Sequence, residues 1–227
     1  MATPTPLTTT SYAILGLLAV KPWTTYELAQ QMRRALGQFW PRAESKLYEE
    51  PKKLVSHELA RAAKQTTGKR TRTVYSITAK GRRAMADWVP RPGAGPVLEF
   101  EALVKLFYSE HGTKQDILAT LDRVRAWSDD RHEDSTGIPR SYLNGEGAFP
   151  ERLPWLVLCG QFLEEFDIIV ERWTEWAASV VGTWPDDIAA AEPELDVLEA
   201  QAHRAETRPA RDLPAPRNDA RPRTVHR

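Results

Sequence analysis

Apolar residues recur at helical spacing along most of this chain, with one interruption between residues 60 and 78. The stretch Thr8–Val20, "TTTSYAILGLLAV", reads as a short, largely buried helix capped by one of its threonines. Lys21-Pro22-Trp23 breaks it. Thr24 opens a second helix with Glu27 three positions on, the reciprocal arrangement of a capping box. That helix places Leu28, Met32 and Leu36 on one stripe and stops at Gly37. In Ala43–Ala60, "AESKLYEEPKKLVSHELA", Leu47, Pro51, Leu54, Val55 and Leu59 form the apolar face. Ser45, Lys46, Glu49, Lys52, Lys53 and Ser56 form the wet one. Proline costs little in a first turn and ~3 kcal/mol in a helix interior. The spacing therefore predicts that the regular helix begins near Leu47 or Tyr48; a start at Ala43 would force Pro51 to kink it.

The period then shortens. "AAKQTTGKRTRTVYSIT" alternates around a Gly-containing turn, with Thr71, Thr73, Tyr75 and Ile77 at β-favouring positions. This is a hairpin with a basic tip: Lys69, Arg70 and Arg72. Thr78 caps a helix that ends before Pro90, and "PRPGAGP" is a linker. Two more helical stretches follow it, "VLEFEALVKLFYSEHG" and "TKQDILATLDRVRAWSDD", and residues 131–152, polar and rich in Gly and Pro, read as a loop. From about Pro154 to Gly182 the residues Trp155, Cys159, Phe162, Phe166, Ile169, Trp173, Trp176 and Val180 step alternately by four and three. That is a heptad seam suited to pairing two long helices. Beyond Asp186 the aromatics vanish; a mostly disordered tail is expected, with a short helix near Pro193–Ala205.

The fold class predicted is mainly α. A winged helix-turn-helix (three helices plus a β-hairpin wing, residues 1–90) is followed by a linker at 91–96. An α-helical dimerisation domain with a long C-terminal helix (97–182) comes next, then the tail from 183 to 227.

Charge sharpens this division. The formal net charge of zero conceals 15 − 6 = +9 in residues 1–90 and 9 − 18 = −9 in residues 91–187, counting Lys and Arg against Asp and Glu. Only the first segment suits a polyanion. In a winged helix the third helix enters the major groove and the hairpin reaches along the backbone or into the minor groove. Ser45 and Lys46 are the candidates for base edges, and Lys52 and Lys53 for phosphates. Tyr26 is a further DNA-binding candidate, Tyr48 is either a core aromatic or, if exposed, a phosphate contact through its hydroxyl, and Lys69, Arg70 and Arg72 form the wing contact. The seam residues Phe162, Phe166, Ile169, Trp173 and Trp176 are the candidates for dimerisation. Trp127 and Trp155 are candidates for a pocket that takes a small aromatic or hydrophobic effector.

Enzymatic chemistry finds little support. The five histidines lack metal-ligand spacing, and there is no Gly-rich phosphate loop or nucleophile elbow. No cofactor and no metal are expected. A single cysteine, Cys159, fits a reducing compartment. No stretch approaches the ~18 apolar residues of a membrane span, and the N-terminus lacks a secretory signal. The expected location is the cytoplasm, with no membrane partner.

"ILGLLAVKPWTTYELAQQM", "LYEEPKKL" and "KRTRTVYSITAKGRRAM", with an acidic helical second half, resemble the PadR family of bacterial transcriptional regulators. The similarity extends to its larger members with a Vir-type helical C-terminal domain. It covers roughly residues 8–182, with "TVYSITAKGR" its most specific part. The resemblance implies a homodimer that binds double-stranded DNA at a palindromic operator, usually as a repressor, and is released by a small molecule or a stress signal. The family usually has glycine where Thr25 and Glu58 stand. Glu58 therefore suggests a turn that avoids a left-handed residue. Two rival classes are a small-molecule-sequestering protein and a helical protein–protein adaptor.

Overall fold

The structure, a computed structural model, describes residues 6–67 and 70–207. Helices α1 (Thr9–Val20), α2 (Thr25–Leu36) and α3 (Glu44–Ser56) come first. A short strand β1 (Trp23–Thr24) lies between the first two. Strands β2 (Ala60–Thr67) and β3 (Arg70–Ile77) form the hairpin, and α4 (Ala79–Trp88) closes the head. The sheet order is β1-β3-β2, all antiparallel, with Trp23 opposite Tyr75 and Ala60 opposite Ile77. This is the winged helix-turn-helix that the periodicity predicts.

Local chemistry sets the helix starts. Thr8 Oγ1 accepts from Ser11 N at 3.3 Å while Ser11 Oγ accepts from Thr8 N at 3.0 Å. Thr24 Oγ1 accepts from Glu27 N, and Glu27 Oε2 accepts from Thr24 N at 2.7 Å. Thr78 Oγ1 accepts from Gly81 N. Helix α3 differs, because its N-cap is Ala43 and no side chain caps it. Ile14, Leu15, Leu18, Leu28, Met32, Leu47 and Leu54 are almost wholly buried and make one core with Trp23 and Tyr75.

Two expectations about α3 are corrected. The helix begins at Glu44, not near Leu47, so Pro51 lies in its interior. Its ring is fully buried, on the same face as Leu47 and Leu54. Burial of the ring offsets the missing N–H, a balance that helix propensity alone does not anticipate. The second correction concerns Glu58, which has φ 60, so the left-handed turn is present without glycine. Leu59 N donates to Leu54 O and Glu58 N to Val55 O, both at 2.9 Å, the paired bonds of a Schellman motif. Glu58 also pairs with Lys80 at 2.7 Å, which draws its carboxyl below the ordinary range.

The described residues cluster into two compact units, 6–67 and 70–101 with 126–173, and 102–125 with 174–207. Helices α6 (Lys114–Leu143) and α7 (Leu153–Thr183) each contribute to both. Within the second unit, α5 (Glu101–Phe107) supplies the buried Ala102. Ile117, Leu121 and Val124 of α6 and Thr174, Ala177 and Val181 of α7 are also buried. Lys114 Nζ donates to Gly182 O at 2.9 Å and to Trp184 O, a cation at the C-terminal end of α7. Within the first unit, Arg131 makes a two-pronged pair with Asp167 at 2.7 and 3.1 Å.

The loop expected over residues 131–152 is helical as far as Leu143, running through Gly137 and Pro139. Residues 137–140 there are exposed, and the sequence "RHEDSTGIPRSYL" carries no apolar stripe to announce the helix. In the tail, α8 (Leu195–Thr207) forms and buries no residue.

Glu58 keeps a conformation that glycine adopts without a Cβ clash. Glu58→Gly is expected to raise the thermal midpoint by about 3 °C, the order of shift that relief of one strained residue produces in a chain of this length. Scanning calorimetry measures it.

Candidate nucleic-acid interface

Because α3 buries Leu47, Glu50, Pro51 and Leu54, its geometry throws Ser45, Lys46, Tyr48, Glu49 and Lys52 outward. Ser45 and Lys46 stand in the first turn, which no side chain caps; Lys46 N donates to Ala43 O at 3.0 Å, and the helix dipole there favours an anion. Lys46 Nζ lies 3.3 Å from Glu49 Oε2, and Arg33 pairs with Glu44 at 2.6 Å. Both pairs are well exposed, so each holds its cation only weakly.

Lys53 departs from the expected solvent-facing position. Its side chain is only 15% exposed. Nζ donates to Ser11 Oγ at 3.1 Å and lies 3.3 Å from Glu50 Oε1, while Ser11 Oγ donates to Glu50 Oε2 at 2.7 Å. A buried carboxylate needs such partners, and the cation is drawn in to supply them. Lys52 remains exposed.

Tyr26, Tyr48 and Arg72 are brought together. They line a groove of about 630 Å³ with Thr25, Glu27 and Thr73, where the start of α2, the outer face of α3 and β3 converge. Tyr26 is 62% exposed and Tyr48 37%. Glu27 is the acid within this groove. Hydrogen bonds from Thr24, backbone first and then side chain, hold its carboxyl below the ordinary range, and Lys21 and Arg72 lower it further.

On the wing, the register sets Arg70 opposite Thr67 and Arg72 opposite Gln65. Alternation then puts Arg61 on the same face as Arg72. Arg61 and Lys64 are exposed basic positions that periodicity along β2 could have flagged. Glu27 is visible in the sequence as a cap, not as part of the groove. Lys69 lies outside the described residues.

Of the seam residues on α7, Phe162, Ile169 and Trp176 are exposed and Phe166 and Trp173 half-buried, Trp173 meeting Phe100 edge-on at 5.9 Å. Cys159 is exposed on the same helix. Trp127 lies beneath the Arg131 guanidinium at 4.8 Å, and Trp155 is 62% exposed. Neither lines the groove of the head.

Residues 14–87 match the transcriptional regulator PadR-like family. They form a PadR-like domain. The negative transcriptional regulator PadR of Bacillus subtilis (strain 168) is 29% identical over 107 residues, 46% of this chain. The match spans 59% of that protein's length. The crystal structure of Bacillus subtilis PadR in complex with operator DNA superposes with a TM-score of 0.67 at 22% identity, covering 78% of this chain and 99% of that one. The complex of the same protein with p-coumaric acid gives 0.59 at 22% identity, covering 76% and 98%. The PadR-like domain thus contains the groove, α3 and the wing together, and the fold likeness extends into the helical half. Among the described residues, no helix is long and apolar enough to cross a membrane.

Glu27 provides a pH test of the domain. Its folded pKa is depressed, so its contribution to stability is complete above its ordinary value of 4.5 and is lost as pH falls below it. Glu27→Gln is expected to flatten the fall in thermal midpoint between about pH 5 and about pH 3, measured by circular dichroism at both ends of the range.

Proposed function

We propose that this protein is a homodimeric transcriptional repressor that binds a palindromic operator through its winged helix and is released by a small aromatic or hydrophobic molecule. The observation that carries the reading is the convergence of Tyr26, Tyr48 and Arg72 on one groove beside the uncapped, outward-facing first turn of α3. That surface combines donors for base edges with cations for phosphate. Residues 1–90 are the DNA-binding part in this reading, and 97–182 pair two copies.

The exposed seam supports pairing. At 1.5 Å per residue, α7 is about 46 Å long, and its outward apolar residues need a cover. Two heads reading a palindrome must sit ~34 Å apart, which a helix of that length can span. The acidic charge of the second part keeps it off the duplex. Release by a ligand is drawn from the relative crystallised with p-coumaric acid. Trp127 and Trp155 are assigned to that pocket, and the protein acts in the cytoplasm.

The inverted repeat upstream of the protein's own gene is the DNA to test, by footprinting across a salt series. Affinity is expected to fall by orders of magnitude between roughly 50 and 200 mM salt. Absence of any protected repeat would reject the reading. Lys52→Met should reduce the slope of log K against log salt by about 0.9, whereas Lys53→Met should leave the slope unchanged and lower the melting temperature. Replacing Lys69, Arg70 and Arg72 together by alanine should weaken operator binding, and unchanged affinity would remove the wing from the interface. Ile169→Asp should convert the dimer to monomer in light scattering; a persistent dimer would place the interface elsewhere.

A further inference from the structure

The connection between α6 and α7 is built to deliver one side chain. Helix α6 ends in a second Schellman motif, Glu146 N donating to Ser141 O at 2.8 Å and Gly145 N to Tyr142 O at 3.1 Å. Here Gly145 takes the left-handed position, φ 77. The Tyr142 ring then folds over Gly147, where any Cβ would collide with the ring, and the Tyr142 hydroxyl donates to Ala148 O. Phe149 follows, itself left-handed at φ 60 and ψ 58, and caps the 3-10 turn Pro150–Arg152.

A bulky residue rarely adopts that backbone, and such strain persists only where surrounding contacts over-determine it. The contact here is with the base of the wing. Phe149 packs on the core of the head, and its ring meets Trp23 edge-on, centroids 6.2 Å apart at 69°. Lys21 Nζ sits 4.1 Å from the Trp23 ring centre and 6.0 Å from that of Phe149. Trp23 in turn is 4% exposed, donates its indole N–H to Leu17 O at 2.9 Å and pairs with Tyr75 of β3. Its neighbour Thr24 caps α2. One ring from the helical hairpin thus bears on the strand from which both the wing and α2 take their position.

We propose that Phe149 is a positioning residue for operator recognition: its seat on Trp23 holds the DNA-reading head at a set orientation on the α6–α7 hairpin. The proposal rests on the DNA-binding reading above and deepens it. A half-operator needs one correctly folded head. A full palindrome needs two heads at a fixed mutual orientation, and loss of the seat penalises only that arrangement.

The test uses the full-length protein, its own inverted-repeat duplex, and the same duplex with one half-site scrambled. Phe149→Ala should weaken binding to the full repeat at least about tenfold and leave half-site binding within about twofold, the pattern of lost simultaneous engagement. Phe149→Tyr, which keeps the ring, should restore the full-repeat affinity. The dimer should persist in light scattering. Amide exchange in residues 23–28 should rise in Phe149→Ala while that of α7 stays unchanged, a readout that needs no DNA. Equal weakening on both duplexes, no weakening on either, or failure of Phe149→Tyr to rescue would overturn the proposal, as would unaltered exchange in residues 23–28. Wild-type protein that binds neither duplex would reject the DNA-binding reading, and the exchange measurement would then judge the seat alone.

Discussion

A carboxylate buried inside a small helical domain must be satisfied where it stands, and Glu50 is satisfied only by one arrangement of α1 against α3. Ser11 reaches it from α1 and Lys53 from the next turn of its own helix, with all three groups within 2.7 to 3.3 Å of one another. Rolling α3 about its axis would separate the Ser11 hydroxyl from the carboxylate and leave a charge in the core without its partners, a change that costs far more than a lost surface pair. The neighbouring Pro51, fully buried, works in the same sense. The outward direction of Ser45, Lys46 and Tyr48 is therefore a by-product of what lies underneath them. Polar atoms in the core specify the angle at which the exposed ones leave it.

The cations on the outward face of α3 and around the groove share a further property. Lys46 has Glu49, Arg33 has Glu44, and Arg72 shares the groove with Glu27. A polyanion competes with these acids for each cation, so part of the attraction goes into separating pairs already present. Under the DNA-binding reading proposed above, such competition would lower the affinity for arbitrary DNA relative to a bare lysine surface, because only a well-fitted site replaces every pair at once.

Much of this architecture is legible in the sequence because its signals are local. Thr24 with Glu27, Thr78 before α4, the alternation from Thr71 to Ile77 and the four-three steps of α7 each report on residues within a turn or two. What cannot be read there depends on partners far along the chain. Lys53 reads as a solvent-facing lysine, and only Ser11, 42 residues away, shows why it turns inward. Periodicity places the start of α3 too late because the penalty for an interior proline is a local quantity, whereas the packing that offsets it is not. Glu58 misleads for the same reason: side-chain preference argues against a left-handed residue, yet two backbone bonds at the end of α3 require one. Residues 131–143 show the opposite failure, a helix whose sequence carries no apolar period. For the candidate site, the outward positions of α3 are evident from spacing, while the groove that unites Tyr26, Tyr48 and Arg72 emerges only when α2, α3 and β3 are brought together.

Helix α7 buries Val170, Thr174, Ala177 and Val181, while the heptad seam occupies the preceding position each time: Ile169, Trp173, Trp176 and Val180. Consecutive residues are about 100° apart around a helix, so the two stripes leave the rod as a fixed wedge. Turning the rod would lift the buried stripe out of its seat, and a shift along its length would break the Arg131–Asp167 pair and the bonds from Lys114 to Gly182 O and Trp184 O. The geometry thus penalises torsion and translation alike, which makes α7 better suited to work as a strut than as a crank.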